Sequence, residues 1–188
     1  MRKLEQAHVV FSWPAPAAGS PDGFAARLLA EIFGGGMASR LFQEVRETRG
    51  LVYTIDSFLD TYEDDGRLAV YAGCNAGNAR AVAEIVRAEL GALADKGVTI
   101  EELARAKAIA RAQLLMGLEA PSSRAGARAA QAFLYGRLIP ESEIVSRIEA
   151  VTPEALQALA GKALAGPGCV AVIGPKAGHG AVEAFQAH

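Results

Sequence analysis

Three consecutive glycines, Gly34, Gly35 and Gly36, interrupt the first half of the chain and constrain its fold more than any other stretch. Apolar residues recur every three to four positions over residues 24–33, which predicts an amphipathic helix that the glycines end. A second amphipathic helix follows, and Gly50 ends it just before an alternating, strand-like run. We therefore expect a sharp turn between two helices, where glycine also allows one backbone to approach another closely.

The rest of the pattern predicts an α+β layered domain with a mainly antiparallel sheet covered by helices. An acidic turn at 63–66 joins two alternating runs into a hairpin, and helical periodicity dominates between that hairpin and the final strand. The first strand is expected to end at Pro14 and Pro16. The predicted elements are strands at 6–13, 51–60, 67–75 and 169–173, and helices at 20–33, 39–49, 79–96, 99–120, 124–135, after Pro140 and from 152. We expect a single domain over residues 1–175 and a frayed, glycine-rich tail over 176–188.

The composition excludes several classes of function. Apolar residues make up 51% of the 188 residues and the net charge is −2, which indicates a globular chain without electrostatic attraction to nucleic acid or anionic membranes. No apolar run is long enough to cross a bilayer. Cys74 and Cys169 each lie in an apolar run, so two buried, reduced thiols are expected in preference to a disulfide.

Motifs for metal binding and nucleophilic catalysis are absent from the sequence. His8, His179 and His188 lie far apart, and neither H-E-x-x-H nor H-x-x-E-H occurs, so no zinc site is expected within this chain. His8 is interpreted as a strand histidine, and the other two as part of a mobile tail. The glycine run lacks the lysine and hydroxyl of a phosphate-binding loop, and no G-x-S-x-G nucleophile motif is present.

Two side chains near the helix-to-strand junction remain as candidates. Arg46 and Tyr53 lie seven residues apart, the first on the second helix and the second on the following strand, with Leu51 and Ile55 on the same predicted face. One interpretation is structural: an exposed helix arginine and a tyrosine packed against the sheet. The other is chemical, because both side chains can donate hydrogen bonds to a carbonyl oxygen or to the oxyanion formed during peptide hydrolysis.

Residues 34–53 closely resemble the signature of the second half-domain in the insulinase, pitrilysin and mitochondrial processing peptidase family of inverted-zincin metallopeptidases. Further stretches resemble the same half-domain in the same order, at 5–9, 101–107, 118–124, 135–137 and 148–154. The likeness is greatest to bacterial members related to the processing peptidase β subunit. Ala38 departs from the pattern, since relatives usually have serine there, and the glycine run is shorter than the loop of the noncatalytic α subunit.

The resemblance implies that this chain is the metal-free, C-terminal half of a zinc metalloendopeptidase. In the family, the N-terminal half carries H-x-x-E-H and binds zinc, and the second half closes over it. Arg46 and Tyr53 match the arginine and tyrosine that the second half contributes to the substrate, while Gly34, Gly35, Gly36 and Gly50 belong to the structural loop around them. The expected partners are the zinc-binding half or a homologous subunit, and a peptide substrate.

Alternatives follow from the same resemblance. The chain can belong to a noncatalytic member that serves as a structural or assembly subunit. On its own it is expected to be inactive, to bind no zinc and to form a homodimer through the face meant for its partner. A cytoplasmic location in a bacterium is expected, although the absence of an apolar signal core carries little weight if Met1 is not the native start.

Overall fold

The computed structural model describes residues 4–186, which form a four-stranded antiparallel sheet and seven α-helices. A π-helix, Phe42–Thr48, and two short 3₁₀ turns, Ala76–Asn78 and Lys176–His179, complete the described part. The strands are β1 Gln6–Ala15, β2 Val52–Thr61, β3 Gly66–Asn75 and β4 Cys169–Ile173. The helices are α1 Gly23–Gly34, α2 Ala79–Lys96, α3 Ile100–Glu119, α4 Pro121–Tyr135, α5 Glu141–Glu149, α6 Pro153–Ala165 and α7 Gly180–Gln186. The predicted α+β class is confirmed.

The strands are arranged in the order β2-β3-β1-β4, and every neighbouring pair is antiparallel. The predicted hairpin joins β2 to β3 through the acidic turn before Gly66. Phe11 on β1 lies between Val70 of β3 and Val170 of β4, so β1 is an interior strand of the sheet. Alternate residues of β1, including Val9, Phe11 and Trp13, enter the core, as a period of two requires.

Residues that the sequence marks as helix starts and helix ends are found at those positions in the structure. Thr99 accepts a hydrogen bond from the backbone N–H of Glu102, and the Glu102 carboxylate accepts one from the backbone N–H of Thr99, which forms the predicted capping box of α3. Gly97, at the end of α2, has a φ of 72° that only glycine adopts without strain. The predicted interruption between the third and fourth helices is present, but α4 begins at Pro121, three residues before its predicted start at 124.

The first strand extends beyond its predicted end. β1 continues through Pro14 to Ala15, because these two residues still pair with Arg67 and Gly66 of β3. β4 pairs only with residues His8 to Ser12, so one side of β1 has no strand partner at Pro14, and proline is tolerated at such an edge position. The prediction that Pro14 ends the strand is therefore wrong.

The tail contributes to the core. Phe185 of α7 is buried, and its ring centroid lies 5.6 Å from that of Phe11 and 5.5 Å from that of Trp13. Trp13 also meets Phe33 of α1 edge to face. The prediction of a frayed tail is thus wrong for residues 176–186, where a large aromatic side chain anchors a short helix. His179 lies in a 3₁₀ turn of this segment, whereas His188 lies outside the described residues.

The two cysteines have different environments. Cys74 on β3 is buried, and its burial raises the pKa of the thiol above its ordinary value. Cys169 is exposed because β4 is an edge strand with only partly covered side chains, so the prediction of two buried thiols is wrong for Cys169. Both cysteines are free.

Candidate functional site

The segment between Gly34 and Tyr53 begins with a close approach of two backbones. A Cβ atom at position 34 would lie 2.6 Å from Cβ of Ser57 and 2.9 Å from the backbone nitrogen of Ser57. Helix α1 therefore contacts β2 here at a distance that only glycine permits. Gly36 has space for a side chain, and its carbonyl accepts a 2.6 Å hydrogen bond from the hydroxyl of Ser39. Ser39 therefore stabilises the turn and does not cap the following helix with its side chain.

A π-helix occupies the position of the predicted second helix. Leu41 and Val45 are fully buried and attach this segment to the core, as their apolar spacing predicts. The last turn is closed by a hydrogen bond from the N–H of Gly50 to the carbonyl of Arg46 and by a wider one from the N–H of Leu51 to the carbonyl of Val45. Short π-helical segments occur frequently at functional sites. Apolar periodicity over so few residues did not distinguish this geometry from an α-helix.

Arg46 projects from the π-helix into solvent. Its guanidinium carbon lies 4.8 Å from the centroid of the Phe42 ring, a cation–π geometry that orients the side chain without neutralising it. The exposed guanidinium retains its hydrogen-bond donors for another molecule. The backbone turns out of the helix at Gly50, whose φ is 60°, and Asn78 fixes the following residue by donating a side-chain hydrogen bond to the carbonyl of Leu51.

Tyr53 is the extra residue of a β-bulge. Val52 pairs with Cys74 and Thr54 pairs with Gly73, so no residue of β3 lies opposite Tyr53. Val52 and Ile55 are buried, whereas the Tyr53 side chain is 59% exposed. The predicted alternation, with Tyr53 and Ile55 on one face, is therefore wrong. The bulge directs the phenol away from the core, and the interpretation of a tyrosine packed against the sheet does not hold.

An ion pair that the sequence analysis did not identify holds this segment to α3. Arg40, two residues before the π-helix, donates from Nε and Nη2 to the two carboxylate oxygens of Glu102 at 2.7 and 2.8 Å, and Nη2 also donates to the carbonyl of Gly97. These hydrogen bonds lower the pKa of the Glu102 carboxyl below its ordinary value. In the sequence, Glu102 is recognisable only as part of the capping box that begins α3. Nothing in the local pattern indicates its ion pair with Arg40, which lies 62 residues away.

The structure thus displays Arg46 and Tyr53 on one short, anchored segment, both accessible to a ligand, without a hydrogen bond between them. Their chemistry is hydrogen-bond donation, which suits the binding of a carbonyl or carboxylate oxygen. Among residues 4–186, no three His, Cys, Asp or Glu side chains converge in a way that could hold a metal ion.

This chain belongs to the peptidase M16 inactive domain family, whose sequence model matches residues 1–110. It is 36% identical over 174 residues to an uncharacterized zinc protease of Streptomyces coelicolor, and the match covers 93% of this chain and 38% of that protein. The chain therefore spans about two fifths of the length of the protein it resembles.

Solved structures share the fold. A peptidase M16 inactive domain from Pseudomonas fluorescens is 23% identical, with a TM-score of 0.76 over 93% of this chain and 42% of that one. A chain in the structure of Complex III2 from Candida albicans is 18% identical, with a TM-score of 0.82 over 96% of this chain and 47% of that one. At these identities the likeness shows the fold alone. Within residues 4–186, no helix combines the length and apolar composition that a bilayer crossing requires.

Proposed function

We propose that this chain is the metal-free C-terminal half of a zinc metalloendopeptidase, which closes over a zinc-bearing N-terminal half and positions extended peptides for hydrolysis. The observation that carries the proposal is the exposure of Tyr53 on a β-bulge beside the π-helix that presents Arg46. The membership of the inactive-domain family and the relative named a zinc protease support it. A bulge that exposes a large aromatic side chain is more easily explained by ligand binding than by folding stability.

Tyr53 and Arg46 have distinct proposed roles. The phenol of Tyr53 donates a hydrogen bond to the substrate carbonyl and to the oxyanion that develops from it. Arg46 binds the peptide backbone or a substrate carboxylate through its fork of donors. A single donor directed at a developing oxyanion contributes roughly 2–4 kcal/mol of transition-state stabilisation in other enzymes. Neither residue has to transfer a proton for this role.

Zinc in this proposal is bound by the other half. The residues described here do not converge on a metal, and the Nδ1 atom of His8 is already hydrogen bonded to Tyr71. We therefore propose no step in which a residue of this chain binds the metal. The partner is the zinc-binding half-domain in the same chain or a homologous subunit, and the proposed cell compartment is the cytoplasm of a bacterium.

The test is Tyr53→Phe in the complete enzyme. Loss of the phenolic donor is expected to lower kcat by roughly 10²–10³, because the hydrogen bond is strongest in the transition state. Zinc content should not change, since Tyr53 lies outside any metal site. The measurement is cleavage of an internally quenched peptide together with metal analysis of the same sample.

A matched control is Tyr62→Phe, which removes an exposed phenol at the opposite end of β2. This variant should retain the parent turnover. Parent turnover in Tyr53→Phe as well would remove Tyr53 from the reaction and leave the proposal without its central residue.

A noncatalytic structural or assembly subunit is the second candidate. The Candida albicans likeness shows that the fold occurs in a large assembly, although it shows nothing more for this chain. The presence of H-x-x-E-H upstream in the same gene, or in a partner subunit, favours the enzyme. A complete protein that contains no such motif and shows no zinc-dependent cleavage favours the structural role.

A further inference from the structure

The sheet has a second face that the helices leave uncovered, which we call the open face. Alternate residues of β1 enter the core, and the intervening residues, such as His8 and Val10, lie on the open face. Val10 is 37% exposed, and Ile173, which pairs with His8 from β4, is 66% exposed. Exposed apolar side chains that lie close together on neighbouring strands are a feature of surfaces that bind other molecules.

His8 and Tyr71 form a hydrogen-bonded pair on the open face. Nδ1 of His8 lies 2.8 Å from the phenolic oxygen of Tyr71, and either group can donate, depending on the tautomer of the imidazole. The two rings stack with centroids 6.1 Å apart. The pair is diagonal across the sheet, since His8 lies opposite Gly73 and Tyr71 lies opposite Val10.

Gly73 provides the space for this pair. A side-chain carbon built at Gly73 would lie 3.4 Å from the Tyr71 hydroxyl and 3.2 Å from Cγ2 of Thr54. The phenol therefore extends over the glycine to reach His8. This arrangement orients the imidazole and leaves its Nε2 atom without a hydrogen bond among the residues that the structure describes.

The His8–Tyr71 pair lies in the same row of the sheet as the bulge that carries Tyr53. Thr54 pairs with Gly73, and Gly73 pairs with His8, so the row crosses two strand spacings. At about 4.8 Å for each spacing, His8 lies roughly 10 Å from Thr54 along the sheet surface. Tyr53 directly precedes Thr54, and neither residue is buried. An extended peptide advances about 3.3 Å per residue, so the same distance corresponds to roughly three residues.

We propose that His8, oriented by Tyr71, is a second contact for the extended peptide that Tyr53 binds. Nε2 of His8 hydrogen bonds to the peptide backbone, and Val10 and Ile173 beside it receive an apolar side chain about three residues from the carbonyl at Tyr53. His8 touches the peptide, whereas Tyr71 is a positioning residue that acts through His8. This inference rests on the proposed function and adds a preference for peptides with an apolar residue at that distance.

The experiment measures peptide binding in the complete protein after zinc removal, so that no cleavage interferes. The probes are fluorescein-labelled peptides of about ten residues in which a single leucine is moved along a serine and alanine background, long enough to span both contacts. Fluorescence anisotropy should show one preferred leucine position in the parent protein. Tyr71→Phe should weaken binding of that peptide roughly 5–10-fold, the loss expected for one hydrogen bond, and His8→Ala should weaken it at least as much.

Shortened peptides separate positioning from a general structural effect. The preferred peptide is truncated by about three residues from each end in turn, and one truncation should remove the contact with His8. Parent and Tyr71→Phe proteins should bind that truncated peptide equally. Tyr62→Phe is the matched control and should bind every peptide like the parent.

The outcomes distinguish this inference from the proposed function. Unchanged binding by Tyr71→Phe and His8→Ala, or an equal loss for long and truncated peptides, overturns the role of the pair even if Tyr53→Phe abolishes turnover. A complete protein that never cleaves peptides but shows the predicted length-dependent loss refutes the enzyme and supports this binding site. No measurable binding of any of these peptides by the parent protein overturns the role of the pair, and the proposed function is then decided by the turnover of Tyr53→Phe alone.

Discussion

Glu102 illustrates how one residue can organise several parts of this molecule. Its carboxylate accepts hydrogen bonds from the Arg40 guanidinium and from the backbone N–H of Thr99, so it caps α3 and also anchors the segment that leads to Arg46. Both side chains of the ion pair are mostly buried. A charged group held by several donors in a partly desolvated position is worth more than a surface ion pair.

Glu102→Gln is expected to destabilise the fold by about 1–2 kcal/mol at neutral pH, because the amide retains the cap but loses the charge-assisted bonds to Arg40. The folded-state pKa of Glu102 is lowered, so its contribution is present above the unfolded pKa and disappears as the pH falls through the folded one. The difference from the parent in free energy of unfolding should therefore shrink on acidification. Urea titrations from pH 7 to the lowest pH at which both proteins fold measure it.

The neighbouring Glu101 supplies the control for this prediction. It occupies the same first turn of α3 but has no ion pair within residues 4–186. Glu101→Gln should change the free energy of unfolding by less than about 0.5 kcal/mol. A pH-independent difference between the parent and Glu102→Gln would contradict the assignment of its stability contribution to the charge.

At the level of secondary-structure elements, two local irregularities determine the candidate site. The π-helix Phe42–Thr48 ends in a wide turn closed by Leu51 and Val45, and the β-bulge at Tyr53 breaks the strand alternation so that Val52 and Ile55, three residues apart, are both buried. Without the bulge, the strict alternation of a strand would place Tyr53 on the same face as Ile55, which is buried. The helices and strands around these two irregularities are regular. The presentation of Arg46 and Tyr53 therefore depends on the π-helix and on the β-bulge.

The short helix α7 is an element whose contribution depends on one side chain. Phe185→Ala is expected to destabilise the fold by about 3–5 kcal/mol, because it leaves a cavity against Phe11 and Trp13. Chemical denaturation monitored by the fluorescence of Trp13 measures the loss directly, since the two rings are in contact.

Phe133 on α4 is the matched control, because its side chain is 91% exposed. Phe133→Ala should cost less than about 0.5 kcal/mol in the isolated chain. If both variants lost stability equally, or if Phe185→Ala matched the parent, the packing of α7 on the core would be incorrect.

At the scale of the whole molecule, the chain is one part of a larger unit in its relatives. It spans 38% of the Streptomyces coelicolor protein, and the residues described here do not form a metal-binding cluster. The open face and the segment around Tyr53 are both accessible on this chain. We therefore propose that peptide hydrolysis requires a zinc-binding half packed opposite this chain.

The isolated chain is expected to bind no stoichiometric zinc and to cleave no peptide. Activity should appear when a homologous half that carries H-x-x-E-H is supplied in the same chain or mixed with it, because the metal and the donors of Tyr53 and Arg46 then meet. Metal analysis after dialysis and a quenched-peptide assay check both parts. Tight binding of one zinc per isolated chain would contradict the proposal at this scale.

Local patterns in the sequence determined most of the elements. Helix α2 has its predicted bounds, Thr99 begins α3 with its capping box, and the acidic turn joins β2 to β3. These features depend on residues within a few positions of one another, so a sequence window contains the information that specifies them. The resemblance of residues 34–53 to one family also singled out Arg46 and Tyr53 as candidates from the sequence.

Only the tertiary structure decided how the side chains of the site are presented. The bulge at Tyr53 exists because β2 must pair with β3 in the register set by Thr54 and Gly73, and partners in another strand are not visible in a local pattern. The burial of Phe185 and the pairing of His8 with Tyr71 likewise join residues more than 60 positions apart. The sequence by itself therefore determined the elements and the candidate residues, while long-range packing determined which of them face the core and which can meet a ligand.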